Sequence, residues 1–133
     1  MTPKVTGSCL CQKVRFEIEG HFDAFFLCHC TYCQKDTGSA HAANLFAKGA
    51  KLTWFSGEAC IKTFTVPGTR HSKCFCTECG AALPRSEMGM IVLPAGSVDD
   101  GRLKQPDAHI MMGSKANWDD ALDKLVKIKG LPG

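Results

Sequence analysis

The stretch Cys76-Thr77-Glu78-Cys79-Gly80 constrains the fold more strongly than any other part of the sequence. Two residues between cysteines, followed by a glycine, are typical of a zinc knuckle, in which amides bond back to the thiolates and the glycine adopts a left-handed turn. The same spacing is too short for an internal disulfide of good geometry. The stretch therefore predicts a tight turn that presents two thiolates to one metal ion.

A second cysteine pair lies near the amino terminus, in Cys9-Leu10-Cys11. One intervening residue allows both sulfurs of an extended or bent segment to point to the same side. The two pairs together supply four thiolates, which is the full ligand set of a structural zinc site. We therefore predict a closed structural zinc site that joins the amino-terminal region to a distant hairpin, with ligands Cys9, Cys11, Cys76 and Cys79.

A third group, Cys28-His29-Cys30-Thr31-Tyr32-Cys33, contains three cysteines without an obvious fourth ligand. Three protein ligands and one exchangeable position are typical of a catalytic zinc site. His29 is a poor ligand candidate, because in an extended segment its side chain points away from those of its two neighbours. A closed site remains the alternative, with a fourth ligand from His29, His41, His71, His109 or Cys74.

The remaining cysteines are Cys60 and Cys74, which bring the total to an odd number, nine. A fully paired disulfide framework cannot account for nine cysteines. We interpret Cys60 as a buried strand residue. Cys74 shares a strand face with Cys76, so we expect it to lie near the structural metal without binding it.

The amino-terminal residues 1–4 lack the apolar region of a secretory signal, and no apolar stretch is long enough to span a bilayer. We therefore expect a cytoplasmic protein that does not enter the membrane. Thiols stay reduced in the cytoplasm, so dense cysteines there indicate metal binding and not disulfides.

Composition indicates an ordinary globular chain, with 44% hydrophobic and 22% charged residues among 133. This length fits a single domain, which we place at 1–133. The net charge is +3, and no block of lysines and arginines stands out. We therefore expect no binding of nucleic acid.

The hydrophobic pattern has mostly a period of two and predicts a mainly β fold. Helix signals are sparse: one short helix is predicted from Thr31 to Lys35, ending at Gly38. Another is predicted to be capped by Asn117 or Asp119 and to reach Leu125. The predicted strands are 14–19, 52–55, 59–66, 90–93 and 109–112.

Several segments together resemble the glutathione-dependent formaldehyde-activating enzyme family, which includes the centromere protein V branch. The resemblance extends from about Gly7 to about Trp118. It is carried by Gly7–Cys11 with Val14-Arg15-Phe16, Cys28–Gln34 with Thr37-Gly38-Ser39, Phe75–Gly80, Pro94–Asp100 and Asp107–Ile110.

The resemblance implies a zinc-stapled β-tent fold of several small, coiled antiparallel sheets. It also implies two zinc ions per chain. The structural zinc falls on Cys9, Cys11, Cys76 and Cys79, and the catalytic zinc falls on Cys28, Cys30 and Cys33. Cys74 is an addition to the family pattern.

The activity that the resemblance implies is the addition of the glutathione sulfur to formaldehyde, giving S-hydroxymethylglutathione; the reverse is a carbon–sulfur lyase step. A zinc ion with three thiolates suits this chemistry, because a coordinated thiol is deprotonated outright. The expected partners are therefore a small-molecule thiol such as glutathione and a small aldehyde. Exposed thiolates also predict that the second zinc is partly lost during preparation.

His109 is the predicted catalytic residue, as a shuttle for the thiol proton or a hydrogen-bond donor to the adduct. The alternative for His109 is a half-buried strand histidine satisfied by the backbone. Positive side chains near the site would favour an anionic adduct or the carboxylates of a peptide thiol, unless they are ordinary solvated charges. The candidates are Lys35, Arg70, His71 and Lys73.

Two other functions remain open. The first is a non-catalytic module of the same fold that binds zinc, thiols or a partner. The second is the chemistry of the zinc-containing methionine sulfoxide reductases, which needs a separate catalytic cysteine. Only Cys60 or Cys74 would be left for that role, and neither is a strong candidate.

Overall fold

The computed structural model describes residues 2–133 and contains mainly short β-strands. One α-helix, α1 (Thr31–Thr37), is present in this part of the chain. Single turns of 3-10 helix cover Glu58–Cys60, Ala95–Ser97, Met112–Ser114 and Leu122–Lys124. The strands are β1 (Lys4–Ser8), β2 (Arg15–Glu19), β3 (Ala24–Cys28), β4 (Ala42–Ala47), β5 (Lys51–Ser56), β6 (Ile61–Thr65), β7 (Ser72–Cys76), β8 (Arg85–Glu87), β9 (Met90–Pro94), β10 (Val98–Asp100) and β11 (Ala108–Ile110).

The strands form three small sheets, with orders β10-β1-β2-β5, β11-β3-β4-β9-β8 and β6-β7. The mainly β prediction is thereby confirmed. One pairing departs from the all-antiparallel expectation, because β11 runs parallel to β3. This pairing sets His109 opposite Leu27 and Ile110 opposite Cys28, so a late segment of the chain lies beside the second cysteine group.

The core draws residues from all three sheets and follows the alternation of apolar residues along the strands. In β2, Phe16 and Ile18 are fully buried, whereas Arg15 is exposed. Burying each such large side chain contributes about 1.5–3 kcal/mol. Gly7 is required where β1 pairs with β2, because a Cβ there would lie 2.3 Å from both the Phe16 ring and the Ser97 carbonyl oxygen. Other core residues are Val5, Val14, Leu45, Leu83 and Leu93.

Helix α1 follows the sequence prediction closely, because both of its ends are set locally. The Cys30 sulfur accepts a hydrogen bond from the Cys33 amide at 3.3 Å and caps the amino end. Gly38 ends the helix in the left-handed conformation, at φ 68°.

Three predicted strands, at 14–19, 52–55 and 90–93, are confirmed with small changes in their ends. The segment 59–66 starts later than predicted, since the left-handed Gly57 leads into a 3-10 turn before β6. The strand predicted at 109–112 stops at Ile110, because Met111 is left-handed at φ 59°.

The second predicted helix is wrong: the segment that reaches Leu125 contains only the 3-10 turn Leu122–Lys124, and neither Asn117 nor Asp119 caps it. Its apolar residues are exposed, Leu125 by 62% and Val126 by 84%. A short helix without a packed face is marginal in water, so the segment stays irregular.

Among residues 2–133, no helix has the length and apolar character needed to cross a membrane.

Candidate metal sites and the histidine cluster

The first cysteine group brings together four sulfurs from two turns, one between β1 and β2 and one after β7. All four Sγ atoms lie within 4.8 Å of one another. Tetrahedral zinc, with Zn–S bonds of about 2.3 Å, needs sulfurs about 3.8 Å apart. The observed separations are 3.5 Å from Cys9 to Cys11 and 3.9 Å from Cys11 to Cys76. The group of Cys9, Cys11, Cys76 and Cys79 therefore fits one tetrahedral metal ion.

Backbone turns hold the sulfurs of this group in place. After β7, the Gly80 amide donates to the Cys76 carbonyl at 2.7 Å, with Gly80 left-handed at φ 75°. The Glu78 amide donates to the Cys76 sulfur at 3.4 Å, and the Val14 amide donates to the Cys9 sulfur at 3.3 Å. Amide donors stabilise thiolates, so both turns are shaped for charged sulfur.

The acidities of the thiols within the first group favour a bound cation. A hydrogen bond from the Ala81 amide, assisted by Cys11, lowers the pKa of Cys79 to about 6. A hydrogen bond from the Lys13 backbone amide favours the Cys11 thiolate. Desolvation and the other three thiols outweigh this bond and raise the pKa of Cys11 to about 12. Four thiols this close cannot all ionise near neutral pH unless a cation compensates their charge.

The second group contains Cys28, Cys30 and Cys33, whose Sγ atoms also lie within 4.8 Å of one another. Cys28 ends β3, Cys30 caps α1 and Cys33 occupies the first turn of that helix. In the described part of the chain, no fourth cysteine, histidine or carboxylate joins this group. Its ligand set is thus one short of a closed tetrahedral site.

The thiols of the second group differ in acidity. Burial opposes ionisation of Cys30, but hydrogen bonds from the Cys33 amide and from the thiols of Cys33 and Cys28 lower its pKa. Burial, followed by the neighbouring thiols of Cys30 and Cys28, raises the pKa of Cys33. As in the first group, ionisation of all three thiols requires a cation that compensates their charge.

Cys60 and Cys74 belong to neither group. Cys74 is buried on the same side of β7 as Cys76, and burial raises the pKa of its thiol. Cys60 is half-buried at the end of a 3-10 turn, so the prediction of a buried strand residue is wrong. Across residues 2–133, all nine cysteines are free thiols and none is paired in a disulfide.

Three histidines pack beside the second group and form what we call the histidine cluster: His29, His41 and His109. The ring centroid of His29 lies 5.1 Å from that of His41 and 5.0 Å from that of His109. His29 is only 1% exposed, and its Nε2 atom lies 2.9 Å from His109 Nδ1. Burial and the neighbouring His29 and His109 lower the pKa of His41.

His109 itself is exposed, and its ring contacts another side chain and not the backbone. The alternative of a half-buried histidine satisfied by the backbone is therefore wrong. The parallel pairing of β11 with β3 places His109 here, and the His29 amide donates to the Ile110 carbonyl at 2.9 Å.

Asp119 completes the histidine cluster, and sequence reasoning assigned it only as a helix cap. Its Oδ2 atom lies 3.0 Å from His29 Nδ1. The buried imidazole of His29 thus contacts a carboxylate on one side and a second imidazole on the other. The only sequence signal for this cluster was His29 itself, a histidine between two cysteines without an assigned role.

Three of the four candidate cations lie around Asp36, a residue of α1. Asp36 accepts contacts of 3.0 Å from both His71 Nε2 and Lys73 Nζ, and the Tyr32 ring stacks on His71 at 5.4 Å. These residues line a mainly apolar cavity of about 360 Å³ that Lys35 also borders. Arg70 does not line it.

The geometry defines a mainly β protein with one complete and one incomplete cysteine cluster, each able to hold a metal ion. A family model described as glutathione-dependent formaldehyde-activating enzyme matches residues 4–114, and the chain belongs to this family.

A crystal structure of a Rhodobacter sphaeroides protein has a similar fold, with a TM-score of 0.60 and 17% sequence identity. The match covers 78% of this chain and 98% of that chain. At this identity the likeness supports the fold alone.

Proposed function

We propose that this protein is a zinc-dependent carbon–sulfur lyase that acts on a thiol–aldehyde adduct such as S-hydroxymethylglutathione. The observation that carries the proposal is the contrast between a complete group of four cysteines and a group of three with no fourth ligand in residues 2–133. In this proposal the first group holds a structural zinc and the second a catalytic zinc. Family membership supports the substrate class, a glutathione-type thiol with a small aldehyde.

The incomplete group is suited to a sulfur substrate by its donor set. Zinc held by Cys28, Cys30 and Cys33 would supply one exchangeable position that favours the thiolate form of a bound thiol. Cys30 is held by the α1 amides and Cys33 is buried, so the chain fixes the position of these donors before substrate arrives.

His109 is the residue we propose to move the proton. In the direction of addition, the substrate S–H gives its proton to a ring nitrogen of His109, and the sulfur electron pair forms a bond to the aldehyde carbon. The carbonyl oxygen, which gains the π electrons, then takes the proton back and becomes the hydroxyl group. The lyase direction reverses each step, and the proton returns from the hydroxyl group to the sulfur through His109.

Lys35 is the cation we propose to attract the carboxylates of a peptide thiol. It is exposed on α1 next to the cavity, whereas Lys73 and His71 are already engaged by Asp36. Free Lys35 thus has its charge available for a ligand.

We also propose that residues 1–133 act as a single domain in the cytoplasm. The contact of Asp119 with His29 ties the segment beyond the family match back to the candidate site. Nine free thiols suit a reducing compartment.

The test must measure acceleration, because thiols add to formaldehyde without a catalyst. Exchange NMR on mixtures of glutathione and ¹³C-formaldehyde gives the rate of carbon–sulfur bond exchange. We expect zinc-loaded protein to raise this rate, and Cys30→Ser protein with its first site filled to leave it at the uncatalysed value. Equal rates with and without the zinc-loaded protein would contradict the lyase proposal and leave the non-catalytic zinc module.

A further inference from the structure

We propose that Asp119 and His29 are positioning residues that fix the tautomer of His109, so that its Nε2 atom is left unprotonated and free to accept a proton. This inference rests on the proposed role of His109 and extends it to two residues that do not contact the substrate.

The first link joins Asp119 to His29. The Oδ2 atom of Asp119 and the Nδ1 atom of His29 are 3.0 Å apart. Both atoms are buried, and no well-aligned hydrogen bond to any residue in 2–133 satisfies either of them. The close contact is therefore mainly electrostatic. An ionised carboxylate can only accept, so a lone pair on Nδ1 would be repelled at this distance. The proton of His29 therefore belongs on Nδ1.

The second link joins His29 to His109. A neutral imidazole with its proton on Nδ1 has an acceptor at Nε2. His29 Nε2 lies 2.9 Å from His109 Nδ1, so His109 must be the donor in this contact. Its own Nε2 then carries a lone pair.

The Gln34 side chain holds the backbone around the two histidines in place. The Gln34 side-chain amide donates to the carbonyls of His29 and Ser114, at 2.8 Å and 2.9 Å. These bonds tie the segment that carries His29 to the segment that follows β11. With the two imidazoles held in this way, the Asp119 carboxylate faces Nδ1 of His29, and its charge sets which nitrogen of each ring carries the proton.

The tautomer of His109 decides whether its ring accepts a proton from the substrate or donates one to it. His109 with its proton on Nδ1 presents an acceptor to the substrate thiol or hydroxyl, whereas the opposite tautomer presents a donor. Loss of the Asp119 carboxylate leaves both tautomers accessible, so a smaller fraction of molecules is ready to accept the proton. We expect kcat to fall by about tenfold to a hundredfold while KM changes little.

The experiment is a two-bond ¹H–¹⁵N correlation spectrum of zinc-loaded protein labelled with ¹⁵N-histidine, which reports the tautomer of each ring directly. We expect His29 and His109 each to show a single tautomer, protonated on Nδ1. In Asp119→Ala we expect a mixture of tautomers at His109 with unchanged zinc content. Asp119→Asn keeps an acceptor oxygen, so it should retain more of the original tautomer and more of kcat.

Asp120→Asn is the matched control, since this neighbouring carboxylate is exposed. It should leave the spectrum and kcat unchanged. A wild-type spectrum with His109 protonated on Nε2, or with both nitrogens of His29 protonated, would overturn the inference even if no variant folds. An Asp119→Ala spectrum identical to the wild type would overturn it as well.

The spectrum also separates this inference from the proposed function. A single His109 tautomer that becomes mixed in Asp119→Ala supports the positioning role whether or not the protein accelerates adduct exchange. If exchange is not accelerated in that case, only the lyase proposal fails.

Discussion

The two cysteine groups use the same ligand atoms but draw them from very different stretches of chain. In the first group, Cys11 and Cys76 are 65 positions apart, so a metal ion there closes a long loop. In the second group, all three ligands lie within residues 28–33, around one helix cap. Closing a long loop restricts the unfolded chain far more than closing a short one.

This difference in loop length supports the proposed division of the two groups into a structural and a catalytic site. A metal ion in the complete group would tie the amino-terminal strands to β7, the strand that ends at Cys76. A metal ion in the incomplete group would add little to stability and would leave room for a substrate atom.

Replacing one ligand of the complete group should unfold the protein. Structural zinc contributes on the order of 10 kcal/mol of folding free energy, which exceeds the stability of a small domain. We expect Cys79→Ser to be unfolded or aggregated in circular dichroism and thermal melts. Cys60→Ser, outside both groups, is the matched control and should remain folded.

Replacing one ligand of the incomplete group should abolish activity without unfolding the chain. We expect Cys30→Ser to remain folded, to contain one zinc ion fewer by elemental analysis, and to lose adduct exchange. If Cys30→Ser unfolded while Cys79→Ser remained folded, the division of tasks would be reversed.

A chelator should remove the two metals in separate steps. A site with three protein ligands and an open position is the weaker one, so its zinc should leave first. We expect one equivalent to be released while the melting temperature changes little, and the second to be released together with unfolding. Simultaneous release of both ions would argue against two independent sites.

Acid should weaken the complete group through Cys79. Its folded-state pKa is lowered from 9.0 to about 6, so the thiolate contributes fully above the unfolded pKa, and the contribution is lost as the pH falls through about 6. The folded, zinc-loaded protein should therefore retain this zinc at pH 7 and lose it well below pH 6. Zinc retention that is independent of pH across this range would show that Cys79 does not bind as a thiolate.

The smallest expected effect concerns the substrate carboxylates. Lys35→Gln should raise KM for a glutathione adduct by a few-fold, since an exposed charge pair is worth about 0.2–1 kcal/mol. The change should shrink in high salt, and kcat should stay the same. Lys129→Gln, in the exposed tail, serves as the control, and an equal rise in KM there would exclude a specific role for Lys35.

Short-range spacing made much of the fold and site predictable from the sequence. The cap at Cys30, the left-handed Gly38 and the Cys76–Gly80 turn depend on residues within a few positions of one another. The alternation in 14–19 likewise encodes a strand with one buried face.

The histidine cluster could not be predicted, because its members meet through long-range packing. His29 and His109 are 80 positions apart and come together through β11, a parallel strand of three residues without a clear periodic signal. Asp119 is of a residue type that commonly caps helices, but the segment after it has no packed face and forms no helix. Its carboxylate contacts His29 instead.

The most direct test of an open thiol-binding site is a glutathione titration of protein in which cobalt replaces zinc, with the thiolate-to-metal absorbance recorded and the metal content measured in parallel. We expect two metal ions per chain, of which one changes its spectrum on binding glutathione while the other does not. Two ions that both ignore glutathione, or a single ion that cannot be joined by a second, would contradict an open thiol-binding site at Cys28, Cys30 and Cys33.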